Sequence, residues 1–176
     1  MHLKSLLFSA GFLPSLLLAA VWYFILQRAR ISMWRLALIS FPSTVAHELA
    51  HWAVGFLLLA KPASFSVWPK HSGDRWTLGS VSFKRINVLN GAFVALAPVL
   101  FFPLAWLCLV DLTAPSWAGE RWGWWLASGY ITAACLFAAL PSVQDIKQGS
   151  PSLLFYGIIG GFWWIWGASL WRGWFH

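Results

Sequence analysis

Five apolar runs divide this chain, each close to the ~20 residues a helix needs to cross the hydrocarbon of a bilayer. They extend from about Leu6 to Leu26, Ile31 to Ala60, Val88 to Val110, Trp122 to Leu140 and Leu153 to Trp171. Hydrophobic residues make up 60% of the 176 and charged residues 10%, against about a quarter charged in a soluble domain. Water is therefore not the solvent for most of this surface. The pattern predicts an all-α membrane protein: one polytopic domain over residues 1–176 with about five transmembrane helices, multi-pass in a bacterial inner membrane. The first run is longer than the ~7–15 apolar residues of a signal peptide, so it reads as a retained span.

Fifteen Trp and fourteen Phe exceed what a core needs. Trp prefers the headgroup level, and Trp122, Trp124, Trp125 and Trp163, Trp164, Trp166, Trp171, Trp174 fall near run ends as an aromatic belt would. The formal charge of +7 comes from Lys and Arg in the loops, which points to the lipid bilayer and its anionic headgroups as partner rather than nucleic acid. If the five spans alternate, seven basic residues collect on the hairpin side (Lys4, Lys61, Lys70, Arg75, Lys84, Arg85, Lys147). Five collect on the other (Arg28, Arg30, Arg35, Arg121, Arg172), which favours a cytoplasmic hairpin. Cys108 and Cys135 lack the spacing of a metal or redox motif.

Residues 61–87 break the helical pattern. Ala63 to Trp68 and Trp76 to Phe83 alternate in polarity around a turn-like Pro69-Lys70-His71-Ser72-Gly73-Asp74. This predicts a β-hairpin over about residues 62–86. An open hairpin cannot face lipid, so the expectation is a membrane-associated position or a protein-lined cavity.

Of the five acids, Asp74 falls in the hairpin turn and Asp111 and Glu120 in a loop between spans, leaving Glu48 and Asp145 within or at the end of apolar helices. An ionisable group at that depth costs roughly 2.5–3.5 kcal/mol even on gentle scales. Glu48 sits in His47-Glu48-Leu49-Ala50-His51. Histidines four apart project from one helical face and can share a zinc ion, with Glu48 as the catalytic base for a water attacking a carbonyl. The alternative, two packed histidines with Glu48 as an ion-pair partner, leaves three costly polar groups unexplained in lipid. A catalytic zinc takes three protein ligands, and Asp145 leads for the third because Pro141 frees local backbone at the end of the fourth run. The alternative for Asp145 is an interfacial carboxylate paired with Lys147; His71 and Asp111 are the other candidate ligands.

The order of HExxH helix, basic hairpin, Ala97-Pro98 helix and Pro141-Ser142-x-x-Asp145 resembles the site-2 protease family of intramembrane zinc metalloproteases. The resemblance covers about residues 36–147, that family's three-helix catalytic core. It implies zinc on His47, His51 and Asp145, Glu48 as general base, and a hairpin whose segment Thr77 to Phe83 offers an edge to an extended substrate. The implied partner is a membrane-protein or membrane-peptide substrate. The family's usual Asn, three residues before the Pro, is replaced by Ala138, and its Leu-Asp-Gly by Gln144-Asp145-Ile146. Asn90 or Ser142 then stands in as the substrate-positioning polar group.

The competing functions are a catalytically inactive scaffold keeping a structural metal site, a zinc peptidase acting on other membrane-surface peptides, and a transporter with a metal-binding step. The last lacks paired half-repeats. Gly157 and Gly161 make a GxxxG spacing, expected to serve packing within the monomer. Pro42 either kinks the second helix or marks its entry, with Ser43 and Thr44 available as caps.

Overall fold

A computed structural model describes the backbone of residues 10–29, 36–72 and 75–174, and the side chains of 10–29, 38–67 and 79–167. The chain is mostly helical with one small sheet. Its elements are α1 (Phe12–Ala29), α2 (Phe41–Leu57), β1 (Pro62–Ser72), β2 (Arg75–Phe83), α3 (Gly91–Ala95), α4 (Phe101–Leu107), α5 (Ala114–Ala118), α6 (Trp122–Ala139) and α7 (Val143–Trp174).

Two helical stretches are long and apolar enough to cross a membrane: Phe12–Ala29, and a continuous run over Ala97–Ala118 that joins α4 and α5 through the π-turn Cys108–Thr113. A third counts if α6 and the first part of α7, bent by 49° at residues 140–142, form one broken span. α2, with two His and a Glu, is not among them. The third run begins later than its hydropathy suggests. Pro98 cannot donate the bond that would continue α3, so α3 stops at Ala95 and the long helix starts at Ala97. It then absorbs Asp111, which the sequence places in a loop; the Asp111 side chain is exposed in the π-turn.

α1 lies against α6, and their contact holds the core: Leu26, Ala133 and Phe137, flanked by Trp22, Tyr23, Ile39 and Tyr130. Polar stitches join α6 to α1 and to the turn that leads into α2. Trp125 Nε1 donates to Ser15 Oγ at 3.0 Å, and Tyr130 donates to the Ile39 carbonyl at 2.8 Å. In a dry interior each of these removes a backbone or hydroxyl group from the unsatisfied list. α2 is entered through a π-turn at Leu36–Ser40, and Pro42 sits in its first turn, so this proline marks entry and not a kink. Ser43 and Thr44 donate back to the Ser40 carbonyl instead of capping amides.

The hairpin is antiparallel, with Phe65 opposite Val81 and Ser64 opposite Ser82. Ser66 pairs with Ser80 but Pro69 with Leu78, so Val67 and Trp68 on β1 oppose Gly79 alone: a β-bulge. β2 lies along α2.

α7 starts at Val143, ten residues before the expected fifth span, because Pro141 ends α6 at Ala139 and a new helix begins at once. Asp145 therefore opens α7 and does not close α6. The first part of α7 packs on α3 with almost no side-chain spacer: a Cβ on Gly149 would lie 2.5 Å from the Ala95 Cβ and 3.2 Å from the Gly91 carbonyl oxygen. Beyond Tyr156, which donates to the Leu89 carbonyl, the helix leaves the bundle. Gly157 and Gly161 have nothing within 4 Å of where a Cβ would stand, so their GxxxG spacing does not serve packing within the described monomer. Trp163 and Trp164 are exposed there, while Trp117, Trp122 and Trp125 cluster at the α5–α6 corner. The side chains of Trp171 and Trp174 lie outside the described residues.

Candidate metal centre

His47 and His51 stand one turn apart on α2 and Asp145 reaches them from the first turn of α7. His51 is buried; His47 and Asp145 are half-buried. His47 Nε2 lies 3.3 Å from Asp145 Oδ2, His51 Nε2 lies 3.3 Å from Asp145 Oδ1, and the two Nε2 atoms are 3.1 Å apart. These are the only three ionisable side chains among the described residues grouped as a metal would need them.

The other ring nitrogens decide what these three atoms are. His47 Nδ1 contacts the Ala138 carbonyl at 2.8 Å and His51 Nδ1 the Val94 carbonyl at 2.7 Å. A carbonyl only accepts, so both Nδ1 atoms carry the proton. In a neutral ring Nε2 is then a bare lone pair. Two such lone pairs and a carboxylate converge on one point, an arrangement that repels itself unless a metal cation or an added proton sits among them. Zinc ligands bonded at ~2.0–2.1 Å in a tetrahedron stand about 3.3–3.4 Å apart, so the observed separations fit that ion. Orienting each ligand histidine through its far nitrogen is the usual outer-sphere arrangement of metal sites.

Two prolines make those carbonyls available. In a continuing helix the amide of residue 98 would close on the Val94 carbonyl, and Pro98 has none. The Ala138 carbonyl belongs to the last turn of α6, ended by Pro141, where carbonyls lack intrahelical partners. Pro141 is followed by a reciprocal cap. The Ser142 amide donates to Asp145 Oδ2 at 2.6 Å, and the Asp145 amide donates to Ser142 Oγ at 3.1 Å. This capping box fixes the Asp145 rotamer as well as the helix start. Sequence inspection singles out Asp145 and Ser142 but not the two carbonyls; the prolines were the available signal.

The three atoms line a cavity of about 860 Å³ together with Glu48, Phe137, Ser142 and Gln148. Glu48, half-buried, has no hydrogen-bond partner among the described residues and lies against Gly79 of β2. Asn90 is elsewhere. It accepts from the Asn87 amide, donates to the carbonyls of Arg85 and Leu58, and stitches the hairpin exit to α3, away from the cavity lining. Asp111 does not join the group, and the side chain of His71 lies outside the described residues.

Compared with protein-family models, with curated proteins and with solved structures, the chain matches none.

Proposed function

We propose that this chain is an intramembrane zinc endopeptidase, hydrolysing peptide bonds in or near transmembrane segments of a partner protein. The observation that carries the reading is the convergence of the Nε2 atoms of His47 and His51 and the Asp145 carboxylate on one point, with Glu48 beside them in a cavity. His47, His51 and Asp145 would hold the metal. Zinc supplies Lewis-acid polarisation of the scissile carbonyl and activation of a water. Glu48, which makes no hydrogen bond among the described residues, would act as the general base, taking a proton from the attacking water and passing it to the departing amine.

A site that served only structure has no use for a carboxylate left without a hydrogen bond in a cavity, which favours catalysis over a scaffold. The likeness to site-2 proteases rests on the HExxH and Pro-Ser-x-x-Asp motifs and their order along the chain. On that reading α1, α2, the Ala97–Ala118 helix, α6 and α7 are five spans, residues 36–147 form the catalytic core, and the hairpin lies at the membrane.

The test uses purified wild type, Glu48→Gln and Asp145→Ala, with bound zinc measured alongside cleavage of a quenched fluorogenic peptide built on a transmembrane segment. Glu48→Gln keeps one zinc per chain and loses cleavage by about 10²–10⁴-fold, the range of general-base removal. Asp145→Ala loses tight zinc. A wild-type chain without zinc ends the reading; zinc with equal cleavage in Glu48→Gln ends the assignment of the base.

A further inference from the structure

β2 and α2 interlock through two glycines. Gly79, Val81 and Phe83 share one face of β2 by the two-residue period of a strand, while Glu48 and Gly55 lie seven residues apart on one face of α2. The Phe83 ring fills the place where Gly55 lacks a side chain, and Glu48 fills the place where Gly79 lacks one. The spans agree: seven helical residues cover about 10 Å and four strand residues about 13 Å. Strand and helix therefore run side by side in the same direction.

Gly79 meets two separate demands. Its φ of +85° is a conformation L side chains rarely adopt, and a Cβ there would lie 2.5 Å from Glu48 Cγ and 3.1 Å from both Cδ and Oε1. The bulge falls at this residue, where Val67 and Trp68 oppose Gly79 alone. Bulges bend a strand and re-aim it beside active sites. Glu48 has several rotatable bonds and no hydrogen bond among the described residues to choose between their settings. Beside the charges of His47, His51 and Asp145, the bare backbone pressed against it limits which of those settings it can take.

We propose that Gly79, at the hairpin bulge, is the positioning residue for the Glu48 carboxylate: the β-hairpin, and not α2 alone, aims the base into the cavity. The idea rests on Glu48 being the base, but the contact itself is testable without catalysis. Thermal unfolding of the full chain is measured for wild type, Gly79→Ala, Glu48→Ala and the double variant. The strain of a positive φ is common to both backgrounds, whereas the clash exists only when Glu48 has a side chain. Gly79→Ala is therefore expected to lower Tm by about 4 °C or more beyond what it does in the Glu48→Ala background.

Gly79→Asn carries the same Cβ with a side chain that tolerates positive φ, and takes the alanine variant's place in the cycle if that variant does not fold. In addition, Gly79→Ala should leave the visible spectrum of the Co²⁺-substituted chain unchanged, because the ligands are untouched. It should lower kcat on the fluorogenic transmembrane peptide by about 10–100-fold at similar KM. Equal Tm losses in the two backgrounds for the variant that folds, or failure of both the alanine and the asparagine variant to fold in either background, overturn the proposal. Coupled Tm losses with no cleavage by wild type leave the contact standing and defeat the peptidase reading instead.

Discussion

At the scale of single residues, the candidate centre depends on where protons are not. Both histidines direct an Nδ1 proton at a backbone carbonyl, so in the neutral rings their second nitrogens face Asp145 and each other as acceptors. Ser142 acts one step behind, holding the Asp145 carboxylate through its amide and receiving the Asp145 amide on its hydroxyl. Removing that hydroxyl leaves all three ligands in place but loosens one. Ser142→Ala is thus expected to weaken zinc about 10–100-fold, as loss of a ligand-orienting group does, while still binding one ion at saturation. Competition with a chromophoric chelator measures this; unchanged affinity would show that α7 holds Asp145 without the cap.

At the scale of elements, the site depends on two helices broken by proline and one contact between glycine-lined helices. α3 presents the Val94 carbonyl to His51 and α7 presents Asp145, and these two helices meet at Gly91, Ala95 and Gly149 with no room for a larger side chain. Gly149→Val should force them apart, costing about 1–3 kcal/mol as overpacking does. Because the moved helix carries a ligand, zinc affinity should fall with it. Gly157→Val, two turns further along the same helix and facing open space, should change neither. Paired thermal melts with and without zinc decide; equal effects at both positions would mean that the α3–α7 contact does not set the site.

At the scale of the whole molecule, the three candidate ligands come from helices far apart in sequence, so an ion bound there would fasten the fold together. A ligand that binds only the folded state at ~100 times its Kd adds about 2.7 kcal/mol, or roughly 5–10 °C in Tm for a chain of this size. Stripping zinc with a chelator should lower Tm by that amount in wild type and hardly at all in Asp145→Ala, with recovery when zinc is restored. Much of this was legible beforehand. Hydropathy points to membrane association, because the chain holds helices long and apolar enough to cross a bilayer, and the HExxH spacing places two imidazoles together because a helix repeats every 3.6 residues. Asp145 stands out for the same local reason, a carboxylate where one is expensive. Helix boundaries were less legible: hydropathy registers how apolar a window is, not where Pro98 and Pro141 deny it a hydrogen bond, so Asp111 moved into a helix and Asp145 to the start of one. The roles of Asn90, Gly157 and Gly161 were beyond local reading, since each depends on what another segment brings alongside. Only the tertiary structure could put the Asp145 carboxylate 3.3 Å from imidazoles nearly a hundred residues away or set Gly79 against Glu48. Sequence sets which groups are available and what each costs to bury, and packing alone decides which of them meet.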